Sequence, residues 1–209
     1  MSNSPDIFVQ ILYKWDEANE QTANLRPVNS IAALLTWTVL PLPIDECVPE
    51  PIMRAVTETA TTSGTLAFRL LFNADLPDGL TVHPAPRAWF GRRVVERLFH
   101  CWPADIATAT TPHAATEMFF QNWHLQDQTA LVQRNDTLSR ETMDHLRRTR
   151  DWRGHDFPAD ARVLIAPAVD GEGVLFVAAD AHELERAVRA VADRLRDEGL
   201  VVTIEHRGE

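Results

Sequence analysis

The chain has 209 residues, is 45% hydrophobic and 24% charged, and carries a formal net charge of −10. No run approaches the ~18 apolar residues of a membrane helix, two cysteines (Cys47 and Cys101) make no disulfide framework, and the negative charge opposes nucleic-acid binding, which rests on phosphate neutralisation. The opening MSNSPDIF has neither a basic n-region nor an apolar h-region, so no secretory signal is expected. These features point to a soluble cytoplasmic protein.

Residues 7–15 alternate loosely and predict a first strand. Residues 16–29 are polar and predict a loop or short helix. Residues 30–40, apolar and β-branched, predict a second strand. Pro41, Pro43, Pro49 and Pro51 then interrupt regular structure, and Pro51 suits the first position of a short helix reaching Ala60. Residues 65–72 predict a strand closed by 73–79, and 80–83 a short one before Pro84 and Pro86. Residues 87–102 predict an amphipathic helix with Phe90, Val94, Val95, Leu98, Cys101 and Trp102 on its apolar face. Thr111 and Pro112 read as cap and first residue of a helix to about Leu125. Residues 129–133 predict a strand, 139–150 a polar helix with Met143 and Leu146 as its apolar contacts, and 151–160 a loop.

The C-terminal quarter is the most legible. Two apolar runs, 161–167 and 174–178, flank the turn-rich 169–173 and predict a hairpin. Asp180 stands at a helix N-cap with Glu183 three residues on, as in a capping box. Leu184, Val188, Val191 and Leu195, with Ala187 and Ala192, share one helical face. Gly199 sits where a helix ends in a left-handed residue, and 200–205 is a β-branched strand. The helix is long enough for a βαβ crossover. The fold class read from this order is α+β (or α/β) with a mixed sheet, a C-terminal β-hairpin–α–β unit packed on it, and one domain over 1–209 with a weak lobe boundary near 126–136.

Several chemistries lose support. There is no P-loop. The glycine pair at Gly171 and Gly173 meets Phe176 where a dinucleotide fingerprint needs glycine or alanine. None of the serines lies in G-x-S-x-G. Lys14, the only lysine, lies inside a predicted strand. No two histidines are spaced i, i+3 or i, i+4, so no metal ligands are assigned, and no cofactor is expected. Cys101 falls on an apolar arc away from His100, which favours a buried structural thiol. Cys47 lies beside Asp45 and Glu46, which disfavour its thiolate.

Two surfaces are candidates. Arg92, Arg93, Arg97 and His100 share a helical arc suited to a phosphate or carboxylate, although a solvated face with Glu96 paired to Arg92 and His100 is the simpler account. The second lies at 144–155. There His145 or His155 would be a general base oriented by Asp151, with Arg148 as anion clamp, while cations at a helix C-terminus are also favoured by the dipole alone. Trp89 and Trp152, each beside arginines, have interface hot-spot composition, and rings packed under arginine stems are the favoured alternative. The expectation is a non-catalytic binding or accessory protein that engages a partner protein, a basic one on charge grounds, with no nucleic acid and no membrane and with self-association left open. The alternative is an enzyme or sensor for a small anionic ligand held by one of the Arg/His clusters.

Overall fold

The computed structural model describes residues 6–13, 27–40, 49–70, 76–85, 104–122, 130–134, 137–148, 152, 154–168 and 173–206, with backbone alone at 6, 120–122 and 148. The strands are β1 (Asp6–Tyr13), β2 (Ile31–Leu40), β3 (Leu66–Leu70), β4 (Leu80–His83), β5 (Asp105–Ala109), β6 (Ala130–Gln133), β7 (Ala161–Pro167), β8 (Gly173–Ala178) and β9 (Val201–His206). The helices among the described residues are α1 (Glu50–Ser63), α2 (Pro112–Asn122), α3 (Arg140–Arg148) and α4 (Ala181–Asp197).

The nine strands form one mixed sheet in the order β4-β5-β3-β6-β7-β8-β2-β1-β9. Every neighbouring pair is antiparallel except β1 and β9, which run parallel. The fold is therefore α+β with a mixed sheet. The order β-β-α-β occurs at both ends of the chain, as β1-β2-α1-β3 and β7-β8-α4-β9. In each unit the helix joins two parallel strands that are not neighbours: β8, β7 and β6 lie between β2 and β3, and β2 and β1 lie between β8 and β9. The β5-α2-β6 connection is of the same kind, with β3 between its strands. Right-handed crossovers are the rule, and β2-to-β3 reverses both the strand direction and the direction of travel of β5-to-β6 and β8-to-β9, so all three helices occupy one face of the sheet.

That face holds the larger core. Leu184, Val188, Val191, Ala192 and Leu195 of α4 pack with Ile52, Met53 and Val56 of α1, Met118 and Phe119 of α2, and Ile11, Leu35, Phe68 and Phe176 of the sheet. The opposite face carries a smaller core of Leu131, Leu164, Leu175 and Val177, covered by Leu146 of α3 and by Trp152. Gly173 marks a close approach at the centre of the sheet, because a Cβ there would stand 2.7 Å from the Leu35 carbonyl oxygen.

The ends of α4 follow local chemistry closely. Asp180 Oδ1 accepts from the backbone N–H groups of His182 (2.8 Å) and Glu183 (3.1 Å). At the other end Gly199 adopts φ 85°. Its N–H donates to the Arg196 carbonyl, and that of Leu200 to the Leu195 carbonyl, a pairing that closes the last turn. The reciprocal half of the capping box is absent: the Glu183 carboxylate pairs with Arg186 instead. The partly buried Glu183 carboxylate is taken up by a cation one turn away.

Other expectations shift by small margins. α1 begins at Glu50, one residue before Pro51, with Pro49 at the N-cap position, and it extends past Ala60 to Ser63. The strand β5 was not expected. Its sequence, DIATA, has too few β-branched or large apolar residues to read as a strand alone. It forms because β3 and β4 pair with it on both sides. The helix expected over 87–102 lies outside the described residues.

Replacing Asp180 by alanine is expected to cost about 1 kcal/mol, since two backbone donors lose their acceptor. Thermal unfolding of D180A should begin a few degrees lower, by roughly 2–4 °C for a chain of this size, and an unchanged midpoint would show that the cap is dispensable.

Candidate functional site

The sequence placed its acid/base set where α3 runs into the segment after it. Ser139 caps α3: its Oγ accepts from the Thr142 N–H at 3.1 Å. Asp160 clamps the same turn, accepting from the Ser139 N–H at 2.7 Å and the Thr142 hydroxyl at 2.5 Å. At the other end, Arg147 donates to the His83 and Pro84 carbonyls at 3.4 and 3.3 Å, and its own carbonyl accepts from the Ala104 N–H at 2.9 Å. The helix is thus pinned to the sheet at both ends.

This arrangement brings His145 and His155 together. Their ring centroids are 4.5 Å apart and the rings meet edge to face, while the His145 ring lies 4.1 Å from the indole of Trp152. The segment is held to the sheet side by the Val28 N–H, which donates to the His155 carbonyl at 2.8 Å. His145 Nε2 and Trp152 Nε1 are buried with no hydrogen-bond partner among the described residues. Burial, and then the charge of His155, pushes the His145 imidazole below its ordinary pKa of 6.5. The imidazole and indole meet at a tilt of 45°, with the indole in the smaller core.

Of the other predicted site residues, Asp151, Arg92, Arg93, Arg97, His100 and Trp89 lie outside the described residues, as does the side chain of Arg148. Trp152 requires a correction. It is 1% exposed and its ring packs with Leu146, Leu131 and Leu164. An indole beside charged residues in sequence is free to turn its large apolar surface into a core while the neighbouring cations remain in water. It cannot serve as an exposed hot spot.

A different feature was missed. A cleft of about 360 Å³, part of it open to solvent, lies between the last turns of α1, the first turns of α4 and strands β6–β8. Its wall is apolar, with Val56, Ala60, Ile165, Phe176 and Ala187, and its charged groups are Arg162, Glu183 and Arg186. Arg162 owes its position to a β-bulge. Val132 faces Val163 but Gln133 faces Ala161, so Arg162 is the extra residue of β7. Such a bulge re-aims one side chain, and Arg162 Nη1 donates to the Ser63 carbonyl at the end of α1, at 2.9 Å. A lone arginine in the otherwise apolar run ARVLIAP was the signal available in the sequence.

Among the described residues no group of three or more His, Cys, Asp or Glu side chains is arranged to hold a metal ion, and no helix is long and apolar enough to cross a membrane. No known protein family, curated protein or solved structure matches this chain.

The depressed His145 pKa makes stability depend on pH. As pH falls through about 6.5 the unfolded chain takes up this proton before the folded one, so the unfolded state binds more protons. Stability is therefore full above that value and declines toward the folded pKa. Asp160 acts at lower pH: burial alone would raise its pKa, but the bonds from Thr142 and Ser139 outweigh it and hold it below its ordinary 3.8. Its contribution is present above 3.8 and lost as pH falls through the folded value. Between about pH 7 and about pH 5, denaturant titrations of the wild type should show falling stability, and His145→Asn should flatten that slope. A slope unchanged by the substitution would assign the proton elsewhere.

Proposed function

We propose that the chain is a binding or accessory protein, without catalysis of its own, that engages a basic partner protein along the β2-β1-β9 end of its sheet. The supporting observation is an uncovered apolar face. On the side opposite α1, α2 and α4, residues Phe8, Leu40 and Val201 are 40%, 46% and 56% exposed. Phe8 and Val201 are register partners across β1 and β9, and Gln10 and Glu205, which hydrogen-bond at 2.9 Å, lie farther along the same face. No described element packs over them. β9 is also the last strand of the sheet, so its outer backbone groups have no strand neighbour among the described residues. An open edge beside an apolar row suits addition of a partner's extended segment, with main-chain bonds supplying affinity and side-chain rows supplying selectivity. The net charge of −10 favours encounter with a basic partner.

The acid/base alternative draws less support. Neither ring of the His145–His155 pair donates a hydrogen bond to a carboxylate among the described residues, and His145 faces an indole.

The test is retrieval from native extract with the wild type and with a Phe8→Lys/Val201→Lys variant, quantified by mass spectrometry. Both positions are exposed, so thermal stability should change by no more than about 0.5 kcal/mol per site. The expected result is one stoichiometric protein that the variant recovers about tenfold less, as for loss of an interface contact worth about 1.4 kcal/mol. The same set of proteins from both chains, or no stoichiometric protein, would refute the proposal.

A further inference from the structure

We infer that the partner presents an extended segment that adds to β9 in the antiparallel direction, with a basic side chain opposite Glu205 and apolar ones opposite Val201, Val202 and Ile204. The inference rests on the partner reading above and specifies the chemistry of that partner.

Three observations carry this. First, the two edges of the sheet are built differently. β4 has four residues and is flanked by Pro77 and Pro84, so it offers few backbone groups to a second chain. β9 has six residues, holds no proline or lysine, and keeps continuous register with β1 without a bulge. Val201, Thr203, Glu205 and His206 are exposed along it. Arg196 of α4 donates to the Val202 carbonyl at 3.4 Å, so that carbonyl is open to a donor from outside the sheet. A straight edge without such blunting is a template for another strand.

Second, the direction follows from the repeated β-β-α-β unit. The two units meet at the antiparallel β2–β8 pair, and β9 is the counterpart of β3. β3 has an antiparallel strand on each side, β5 and β6. β9 has β1 alone, in parallel, and is the one described strand without an antiparallel neighbour. An antiparallel addition gives β9 the kind of neighbour its counterpart has, in the ladder that is the more stable per residue.

Third, the side chains set the chemistry. Val201, Thr203 and Glu205 alternate with Val202 and Ile204, which are half-buried against the larger core on the helix-bearing face. An added strand with apolar residues opposite Val202 and Ile204 extends that core. Glu205 is bonded to the neutral Gln10 and has no cationic partner among the described residues. A cation directly opposite makes a favourable cross-strand pair. A second copy of this chain does not supply one. Antiparallel pairing of two β9 strands about a two-fold axis sets Glu205 against Val201, Thr203 or Glu205, and each copy carries a net charge of −10.

The probes are end-capped heptapeptides, followed by backbone amide shifts on the full chain. TKVTVFT places its lysine opposite Glu205 and its phenylalanine opposite Val201 when it lies antiparallel. TFVTVKT, the same residues reversed, does so only when it lies parallel. TEVTVFT sets a glutamate opposite Glu205. The first should bind saturably with shifts centred on residues 201–206, and the other two about fivefold more weakly. Glu205→Lys, a change at an exposed position, should make TEVTVFT the preferred peptide. The inference is overturned by no binding of TKVTVFT, by shifts centred elsewhere, by preference for TFVTVKT, or by indifference to the exchange of lysine for glutamate. Shifts at 201–206 that move with the chain's own concentration also overturn it, by placing a second copy at the edge. The retrieval experiment is read separately. A stoichiometric partner with no peptide bound keeps the partner reading and removes strand addition, whereas bound peptide with no partner retrieved removes the partner reading alone.

Discussion

The architecture depends on one chiral constraint. Three helices, α1, α2 and α4, each carry the chain between parallel strands, and all three connections turn in the same sense. Right-handed connections share a side of the sheet when strand direction and direction of travel reverse together, as they do for β2-to-β3 relative to β5-to-β6 and β8-to-β9. The large core therefore forms on that side, from the apolar stripes of the helices and every second residue of the strands. The β2–β8 pairing at the centre joins the two β-β-α-β units, and the close backbone approach at Gly173 allows it.

What remains on the other side follows from this asymmetry. Among the described residues α3 and Trp152 cover it, packing with residues of β2, β3, β5, β6, β7 and β8. On the last three strands, β2, β1 and β9, Leu40, Phe8 and Val201 stay exposed. Covered cores need their buried polar groups answered, and the clamp of Asp160 on Ser139 and Thr142 does so for the start of α3. The imidazole and indole at its far end are less well answered, which is why His145 resists protonation.

The helix-bearing side has its own exception. At the start of β7 one extra residue enters the ladder and turns Arg162 toward the end of α1. Without the bulge, regular alternation would have set this guanidinium on the opposite face. The cleft thus arises where three elements end together: α1 closes, α4 begins, and β7 departs from strict alternation.

Helix α4 was legible residue by residue, because its signals are local. Asp180, the stripe from Leu184 to Leu195, and Gly199 act within a few turns of one another, and the structure uses each as its chemistry dictates. The hairpin β7–β8 and the strands β1 and β2 were legible for the same reason, through runs of apolar and β-branched residues. β5 was not, since DIATA becomes a strand only between β3 and β4. Nor was the fate of Trp152, whose ring could as well have met solvent until Leu146 and Leu164 were set beside it. Propensity, capping and periodicity are properties of neighbouring residues, so the sequence alone determined the elements other than β5 and the mixed-sheet class. Sheet order, the exposure of Phe8, Leu40 and Val201 and the union of Arg162 with the end of α1 join residues far apart in the chain. Only the tertiary structure decided them, because they result from competition among distant surfaces for burial.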